Sequence, residues 1–249
     1  MKKRLIIFII LGLMFSGLMF SFFVNFLEDK NEGIITLTFD DGYATHYDFV
    51  FKEMQKYNFP GTLFLVANWS GYFEDKQLIS FEEAREMQNE GWEIGSHSLN
   101  HERLTALSEE ELINNLEKSK EILEEEGFSI FSLAYPYGDY NADVANFSRV
   151  YYSALRPLER GFNFVEEPNF YELKSMWVRE EDSSQKVCFW IKNAKEQKLW
   201  LILDFHNVGE EKTSWDFSEE KFKEILSCID DENIKVRTIK GVLDNEKRI

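Results

Sequence analysis

The sequence predicts an α/β protein in which seven or eight strand-helix units form a β/α barrel, preceded by one N-terminal transmembrane helix. Two observations lead to this prediction. Short apolar segments alternate with amphipathic helical segments from Ile34 to Ile239, which is typical of a parallel sheet covered by helices. An uncharged run from Leu5 to Leu27 precedes them and is long enough to cross a bilayer.

Each strand is predicted from a short run of apolar residues bounded by turn residues. The strands are expected at Ile34–Phe39, Thr62–Val66, Trp92–Gly95, Ile130–Tyr135, Tyr151–Leu155, Leu173–Val178, Leu199–Phe205 and Lys235–Ile239. The helices are expected at Tyr47–Tyr57, Phe81–Glu90, Ser108–Gly127 and Ser218–Glu232. Ser80 with Glu83, and Ser108 with Glu111, have the spacing of a capping box, which marks the first turn of a helix.

The N-terminal run is predicted to be an uncleaved signal anchor. The basic cluster Lys2–Arg4 precedes it and two acidic residues follow it, which favours a cytoplasmic N-terminus and an exported C-terminal domain. A cleaved signal peptide is the alternative, but its apolar region usually ends after about 7 to 15 residues. We therefore expect residues 1–28 to anchor the protein in the membrane and residues 29–249 to form one extracytoplasmic domain.

The charge and the cysteine content limit the function further. The formal net charge is -17, with 28 basic and 45 acidic residues, and this argues against a nucleic-acid partner because phosphate binding needs clustered Lys and Arg. Most of the acidic residues fall in helical stretches, where solvated helix faces explain them. Cys188 and Cys228 cannot form a CxxC metal site; an exported domain permits a disulfide between them, and both the paired and the free state stay open.

Aspartate and histidine residues follow several of the predicted strands. Asp40 and Asp41 end the first strand, His97 follows the third with His101 four positions later, and His206 ends a late strand. The carboxyl ends of the strands in a β/α barrel meet at one mouth, so these residues are expected to converge. Imidazole and carboxylate are good ligands for a divalent cation, and two histidines with one aspartate leave positions open for water and substrate. The pattern therefore predicts a metal-dependent hydrolase.

Each of these residues also has a purely structural explanation. An Asp-Asp-Gly segment after a strand is common in turns, and a histidine pair four residues apart can share a helix face by chance. His206 taken alone suits a satisfied core residue as well as a catalytic one. His46 is the histidine without a predicted role, and we expect it in a loop or at the start of a helix.

Four short motifs follow one another along the chain: TFDDG, HSLNH, AYPYG and LILDFH. Their order and spacing resemble those of the polysaccharide deacetylase family, carbohydrate esterase family 4, from about Ile34 to Val208. The resemblance implies a distorted barrel with fewer than eight strands, about seven here. It also implies removal of N- or O-acetyl groups from sugars such as N-acetylglucosamine in chitin or peptidoglycan.

The resemblance further implies a role for the motif residues. Asp41, His97 and His101 would bind one divalent metal ion, with Zn²⁺ expected and Co²⁺ or Ni²⁺ as alternatives. Asp40 would act as the general base and His206 as the general acid. A metal ion in this place would lower the pKa of water and polarise the acetyl carbonyl.

The third motif supplies substrate contacts and contains a departure from the family. The backbone N–H of Tyr137, beside Pro136, would donate to the oxyanion of the transition state. Many members carry an arginine two positions before this proline, where it pairs with the catalytic aspartate, but this chain has Ala134. Arg156 is the predicted substitute partner for that aspartate.

The last motif departs from the family at Asp204. A leucine usually stands two residues before the catalytic histidine and lines the pocket for the acetate methyl group. Since strand residues i and i+2 point to the same face, Asp204 and His206 should project together. Asp204 is predicted either to orient His206 and raise its pKa, or to make the acyl pocket more polar and shift substrate preference.

The sequence thus predicts a membrane-anchored metal-dependent deacetylase that acts on an acetylated glycan. Trp69, Tyr72, Phe73 and Trp215 suit stacking on sugar rings or packing in the core. One alternative is a hydrolase of the same fold that acts on a non-sugar amide. Another is a carbohydrate-binding protein that has lost turnover, although the aspartate before Asp41 favours an enzyme because binding needs no base.

Overall fold

The computed structural model describes residues 32–246, except residues 74, 211 and 212. The predicted anchor, residues 1–28, lies outside the described residues and stays a prediction. Across the described segments, every helix is too short or too polar to pass through a lipid bilayer.

Eleven strands are present in the described residues, most of them short. They are β1 Ile34–Phe39, β2 Thr62–Leu65, β3 Tyr72–Phe73, β4 Lys76–Gln77, β5 Glu93–Ser96, β6 Ser132–Ala134, β7 Ala154–Arg156, β8 Asn163–Phe164, β9 Met176–Trp177, β10 Leu199–Phe205 and β11 Lys235–Val236. β3 and β4 form a separate hairpin, and the other nine belong to one sheet. The predicted strands Ile34–Phe39 and Leu199–Phe205 are confirmed with their bounds.

The main sheet follows the order β7-β6-β5-β2-β1-β10-β8. Neighbours along this path are parallel, apart from β8, which is antiparallel to β10. Two short strands pair beside the path, β11 with β1 and β9 with β10, both parallel. Seven strands along an open path fit the predicted distorted barrel, because the path ends at β7 and β8 instead of closing.

An irregular segment lies along the open edge of the sheet. The backbone N–H of Leu155 in β7 donates to the carbonyl of Phe170 at 2.7 Å, and the N–H of Leu173 donates back to the Leu155 carbonyl at 3.1 Å. The side chain of Asn163 in β8 donates to the carbonyl of Lys174 at 2.8 Å. The segment therefore satisfies backbone groups that a closed barrel would pair with another strand.

Helices cover the outer face of the sheet. They are α1 Lys52–Gln55, α2 Phe81–Asn89, α3 Glu109–Glu125, α4 Ala142–Tyr151, α5 Ser184–Gln197, α6 Glu219–Asp231 and α7 Ile239–Glu246. Both predicted capping boxes are confirmed: the hydroxyl groups of Ser80 and Ser108 accept from the backbone N–H groups of Glu83 and Glu111. A π-helical turn, His46–Phe51, precedes α1 inside the segment predicted as one helix.

Six of the eight predicted strands differ from the structure at one or both ends. Tyr151 belongs to α4, so β7 begins only at Ala154, and β9 is limited to Met176–Trp177. Ile239, predicted to end the last strand, is the first residue of α7 and is buried. The misplaced ends at Tyr151 and Ile239 have one cause: apolar residues on the buried face of a short helix are not distinguishable from a strand by hydrophobicity alone.

Side chains of the strands alternate between two hydrophobic clusters. In β10, Leu201 and Leu203 belong to the large cluster that the helices cover, whereas Trp200 and Ile202 belong to a smaller cluster on the inner face of the sheet. By the same alternation, Asp204 projects to the inner face. A disulfide between Cys188 and Cys228, with Cα atoms 6.0 Å apart, joins α5 to α6 across a separation of 40 residues.

Glu93 organises the amino-terminal end of the strands, opposite the ends that carry the predicted site. Its buried carboxylate accepts hydrogen bonds from Ser132 Oγ at 2.6 Å, from Thr62 Oγ1 at 3.3 Å and from the backbone N–H of Lys240 at 2.7 Å. It therefore links three neighbouring strands to the first turn of α7, where a negative charge is favourable.

Replacement of Glu93 by glutamine is expected to change how stability depends on pH. Burial raises the pKa of Glu93 above 4.5, even though its hydrogen-bond donors oppose the shift. Between pH 4.5 and the raised pKa the folded protein holds a proton that the unfolded chain releases. The free energy of unfolding therefore falls as pH rises through this window, by at most about 1.4 kcal/mol per pH unit, and Glu93→Gln lacks this contribution.

Urea unfolding of both proteins at several pH values measures the difference between their free energies of unfolding. A difference that stays constant from acidic to neutral pH would contradict the prediction.

Candidate functional site

The predicted site residues surround one cavity of about 480 Å³ at the carboxyl ends of the strands. The residues that line it include Asp40, Asp41, His97, His101, Tyr137, Arg156, Asp204 and His206. They follow or end β1, β5, β6, β7 and β10, as barrel geometry predicts. Pro136 is buried at the start of the turn that carries Tyr137.

Asp41, His97 and His101 form a group in which one ligand atom from each residue lies within 4.8 Å of the others. Asp41 Oδ1 is 3.5 Å from His97 Nε2 and 3.4 Å from His101 Nε2. Asp41 Oδ1 is buried and has no hydrogen-bond partner among the described residues. An unpartnered buried carboxylate oxygen is costly, and a cation between it and the two imidazoles would offset that cost. The donor set therefore fits a divalent metal ion.

Contacts behind these residues orient them toward the common centre. His97 Nδ1 lies 2.8 Å from the carbonyl of Ala134, so Nδ1 carries the proton and Nε2 keeps its lone pair. Tyr43 donates its hydroxyl to Asp41 Oδ2 at 3.1 Å. Burial lowers the pKa of His97, and burial together with His97 lowers the pKa of His101 to about 3. Both rings are neutral at physiological pH, as metal ligands must be.

Backbone strain is concentrated around the same centre. Asp41, Ser98, His101 and Tyr137 all have positive φ, with values of 72°, 72°, 58° and 59°. His97 and His101 therefore lie in a loop, which excludes the chance alignment on a helix face considered above. Ser98 Oγ accepts from the backbone N–H of His101 at 3.0 Å and stabilises this conformation. Such strain is typical of sites where the fold imposes a side-chain position.

Arg156 makes two buried ion pairs with carboxylates of the cavity. Its Nη2 is 2.6 Å from Asp40 Oδ1, and its Nη1 is 2.7 Å from Asp204 Oδ2. All three side chains are at most 5% exposed. Burial is the largest single influence on the pKa of Asp40 and raises it, but the Arg156 guanidinium together with the nearby His97 and His206 rings outweighs burial and lowers that pKa to about 2. Burial raises the pKa of Asp204, which shares the same cation.

Arg156 thus makes the contact with Asp40 that its predicted base-orienting role requires. Asp204 directs its carboxylate at Arg156, and no hydrogen bond between Asp204 and His206 occurs within the described residues. The contact required by the first hypothesis for Asp204 is absent there. Its place in the cavity lining is compatible with the second hypothesis, a more polar acyl pocket.

His206 follows β10 and is partly buried against an aromatic ring. Its ring centroid is 4.8 Å from that of Trp215, and the Arg179 guanidinium lies 4.1 Å from the centroid of Trp215 on which it stacks. Burial lowers the pKa of His206. Its backbone carbonyl accepts a hydrogen bond from His46, which begins the π-helical turn, in agreement with the helix start expected for His46.

Aromatic side chains form part of the rim of the cavity. Trp69 and Phe73 stack with ring centroids 3.8 Å apart, and Trp69 lies 5.2 Å from the His101 ring. Tyr137 is 49% exposed and packs between His101 and Arg103. These rings therefore pack against the site residues, and Tyr137 also leaves part of its ring exposed to a ligand.

Tyr43, Lys76 and Asp216 are among the residues that line the cavity without a role predicted from the sequence. Lys76 and Asp216 form an ion pair that joins the β3–β4 hairpin to the loop after β10, and Lys76 lies 5.0 Å from the centroid of the Tyr43 ring. Tyr43 directly follows the TFDDG motif, and this adjacency was a usable signal. Lys76 and Asp216 are 140 residues apart and belong to no motif, so the sequence offered none.

Comparisons with known proteins agree with the first three sequence motifs, TFDDG, HSLNH and AYPYG. A family model described as polysaccharide deacetylase matches residues 28–151. The chain is similar to the putative polysaccharide deacetylase YxkH of Bacillus subtilis (strain 168), with 28% identity over 120 residues, 47% of this chain and 42% of that protein. It is also similar to a poly-beta-1,6-N-acetyl-D-glucosamine N-deacetylase of Staphylococcus aureus (strain MSSA476), with 31% identity over 136 residues, 48% of this chain and 47% of that protein.

The described fold is similar to solved structures as well. The Xyl-CE4 domain of a multidomain xylanase from the hindgut metagenome of Trinervitermes trinervoides superposes with a TM-score of 0.62 at 16% identity, over 87% of this chain and 92% of that chain. At this identity the likeness shows the fold alone. The chain spans less than half the length of the two sequence relatives.

Replacement of Arg156 by methionine is expected to destabilise the protein strongly. The change leaves Asp40 and Asp204 buried without a counter-charge, which costs about 3–5 kcal/mol. The matched control is Lys52→Met, because the Lys52–Asp48 pair is also an ion pair but has side chains 54% and 68% exposed. The control is expected to cost at most about 1 kcal/mol.

Urea unfolding at neutral pH measures both losses. Addition of Asp204→Leu to Arg156→Met is expected to recover part of the loss, because only one buried carboxylate then lacks a partner. A loss for Arg156→Met no larger than that of the Lys52 variant would show that the shared ion pair contributes little.

Proposed function

Because this chain belongs to the polysaccharide deacetylase family, we propose that it is a metal-dependent hydrolase that removes acetyl groups from N-acetylated sugars of a polysaccharide or surface glycan. The observation that carries the proposal is the group formed by Asp41, His97 and His101 directly beside Asp40. A group of metal-ligand type next to an ionised carboxylate is what hydrolysis of an amide by water requires.

Asp41, His97 and His101 would hold the metal ion, for which we propose Zn²⁺ with Co²⁺ or Ni²⁺ as alternatives. When bound, the ion supplies a Lewis acid that polarises the acetyl carbonyl and lowers the pKa of water. The unpartnered Asp41 Oδ1 and the inward-facing Nε2 atoms of the two histidines support this assignment.

Asp40 would act as the general base. Against the effect of burial, Arg156 and the nearby His97 and His206 rings lower its pKa to about 2, so the carboxylate is ionised and able to accept a proton throughout the neutral range. The two hydrogen bonds from Arg156 Nη2, one to each carboxylate oxygen, also fix the orientation of the carboxylate. Arg156 would therefore be a positioning residue that takes the place of the arginine absent at Ala134.

His206 would act as the general acid that protonates the departing amine. It lines the same cavity as Asp40 but follows a different strand, so the substrate would lie between base and acid. Its assignment does not rest on the family model, which matches only up to residue 151. The backbone N–H of Tyr137 would donate to the developing oxyanion. Tyr137 has a left-handed backbone conformation, which sets the direction of this N–H.

The proposed substrate is an acetylated glycan close to the membrane. A deacetylase named for poly-beta-1,6-N-acetyl-D-glucosamine is among the similar proteins, and the cavity volume of about 480 Å³ is in the range of small-ligand sites. The ring of Tyr137, which is exposed and lines the cavity, offers a face on which a sugar can stack. We propose that residues 1–28 anchor the chain and that the catalytic domain is extracytoplasmic; both rest on the sequence pattern.

Replacement of Asp40 by asparagine is expected to reduce acetate release by about 100- to 10,000-fold, because the base is lost while the metal ligands remain. The measurement is acetate release by the full-length chain from N-acetylglucosamine oligomers and from peptidoglycan, with Zn²⁺, with Co²⁺ and with chelator. The matched control is Asp48→Asn, a change at an aspartate whose side chain is 68% exposed, which is expected to behave as wild type.

Metal affinity, measured by calorimetry, separates the alternatives. Asp40→Asn is expected to bind metal as wild type does, whereas Asp41→Asn is expected to lose tight binding. If the wild type binds metal but releases no acetate from any glycan, a non-sugar amide hydrolase or a carbohydrate-binding protein replaces this proposal.

A further inference from the structure

His46 is the histidine that the proposed chemistry does not use. It is fully buried and begins the π-helical turn His46–Phe51. π-helical turns are rare and occur frequently at functional sites, because the wider turn displaces a side chain from its ordinary helical direction. This turn lies close to the end of β10, so the His46 ring is near the proposed acid His206.

The ring of His46 holds the backbone of His206. Its Nε2 lies 2.8 Å from the His206 carbonyl oxygen. A carbonyl only accepts hydrogen bonds, so Nε2 carries the proton and Nδ1 does not. Burial lowers the pKa of His46 to about 4, so the ring stays neutral with a single N–H. The rings of Phe39 and Tyr43, with centroids 5.5 and 5.7 Å away, confine it.

The bonded carbonyl lies where the ladder of β10 ends. The last strand residue, Phe205, still accepts from the backbone N–H of Asp40 at 2.9 Å. The next carbonyl, that of His206, lies beyond the strand and receives the side chain of His46 instead. A second bond supports the same stretch: Thr45 donates its hydroxyl to Asn207 Oδ1 at 2.8 Å. Two consecutive residues before α1 therefore hold two consecutive residues after β10.

We propose that His46 is a positioning residue for His206: its Nε2–H fixes the His206 backbone and so holds the imidazole of the proposed acid in place across the cavity from Asp40. The inference rests on the proposed function only for the role of His206 as an acid; the placement of the ring stands on the geometry alone. A displacement of a catalytic group by about 1 Å can lower the rate by about 100-fold, so a hydrogen bond that fixes the His206 backbone is enough to affect turnover.

The experiment compares two replacements of His46 in the full-length chain. In His46→Gln the side-chain amide nitrogen takes roughly the place of Nε2 and can donate to the same carbonyl, whereas His46→Met fills similar space without a donor. We expect His46→Met to lower kcat for acetate release by about 10- to 100-fold with KM and metal affinity unchanged. His46→Gln is expected to recover most of kcat.

Thr45→Val provides a milder second variant, since it removes only the bond to Asn207 and retains the side-chain shape. It is expected to lower kcat by less than His46→Met does. Thermal unfolding of all variants identifies any that do not fold. Wild-type kcat in folded His46→Met, or equal losses of kcat in His46→Met and His46→Gln, would overturn the proposal.

Nitrogen NMR of the histidine rings tests the placement without turnover. We expect His46 as the Nε2–H tautomer, and His206 ring signals that shift in His46→Met but not in His46→Gln. An Nδ1–H tautomer at His46, or unchanged His206 signals in His46→Met, would overturn the proposal even if the enzyme is active. Absence of acetate release by the wild type, together with the expected NMR result, would contradict the proposed function while the positioning of His206 by His46 stands.

Discussion

The shared ion pair of Arg156 with Asp40 and Asp204 is the interaction on which the inner face of the half-barrel depends. Arg156 ends β7, at one edge of the sheet path, whereas Asp40 follows β1 and Asp204 lies in β10, near the other edge. The pair therefore crosses the interior of an incomplete barrel. Three buried ionisable groups would each be costly to charge alone, and they are tolerated because one planar guanidinium reaches both carboxyl groups.

This arrangement gives two adjacent aspartates different environments. The carboxylate of Asp40 contacts the Arg156 guanidinium. Asp41 has a left-handed backbone with φ of 72°, and its carboxylate lies beside the rings of His97 and His101. A carboxylate paired with arginine is ionised and oriented, which suits a base. A carboxylate with an unpartnered oxygen between imidazoles suits a metal ion. The left-handed backbone of Asp41 thus directs the two neighbouring carboxylates to different places, one to act as a base and one to bind a metal ion in the proposed hydrolysis.

The two ends of the strands contribute differently to the protein. At the amino-terminal ends, Glu93 links neighbouring strands to the last helix through short hydrogen bonds from Ser132 and from the backbone N–H of Lys240. At the carboxyl ends, the loops contain the left-handed residues Asp41, Ser98, His101 and Tyr137. Hydrogen bonds at the amino-terminal ends stabilise the sheet, while these four left-handed residues hold side chains of the cavity in position.

The sequence by itself determined the elements with strong local signals. The capping boxes located α2 and α3, the apolar runs located β1 and β10, and the motifs identified the cavity residues. Only the tertiary structure decided which partners meet: Arg156 is 116 residues from Asp40, and His46 is 160 residues from the carbonyl it holds. Hydrophobic periodicity and helix capping depend on residues that are close in sequence. Contacts between residues more than 100 positions apart depend on the order and register of the strands, which the whole fold sets.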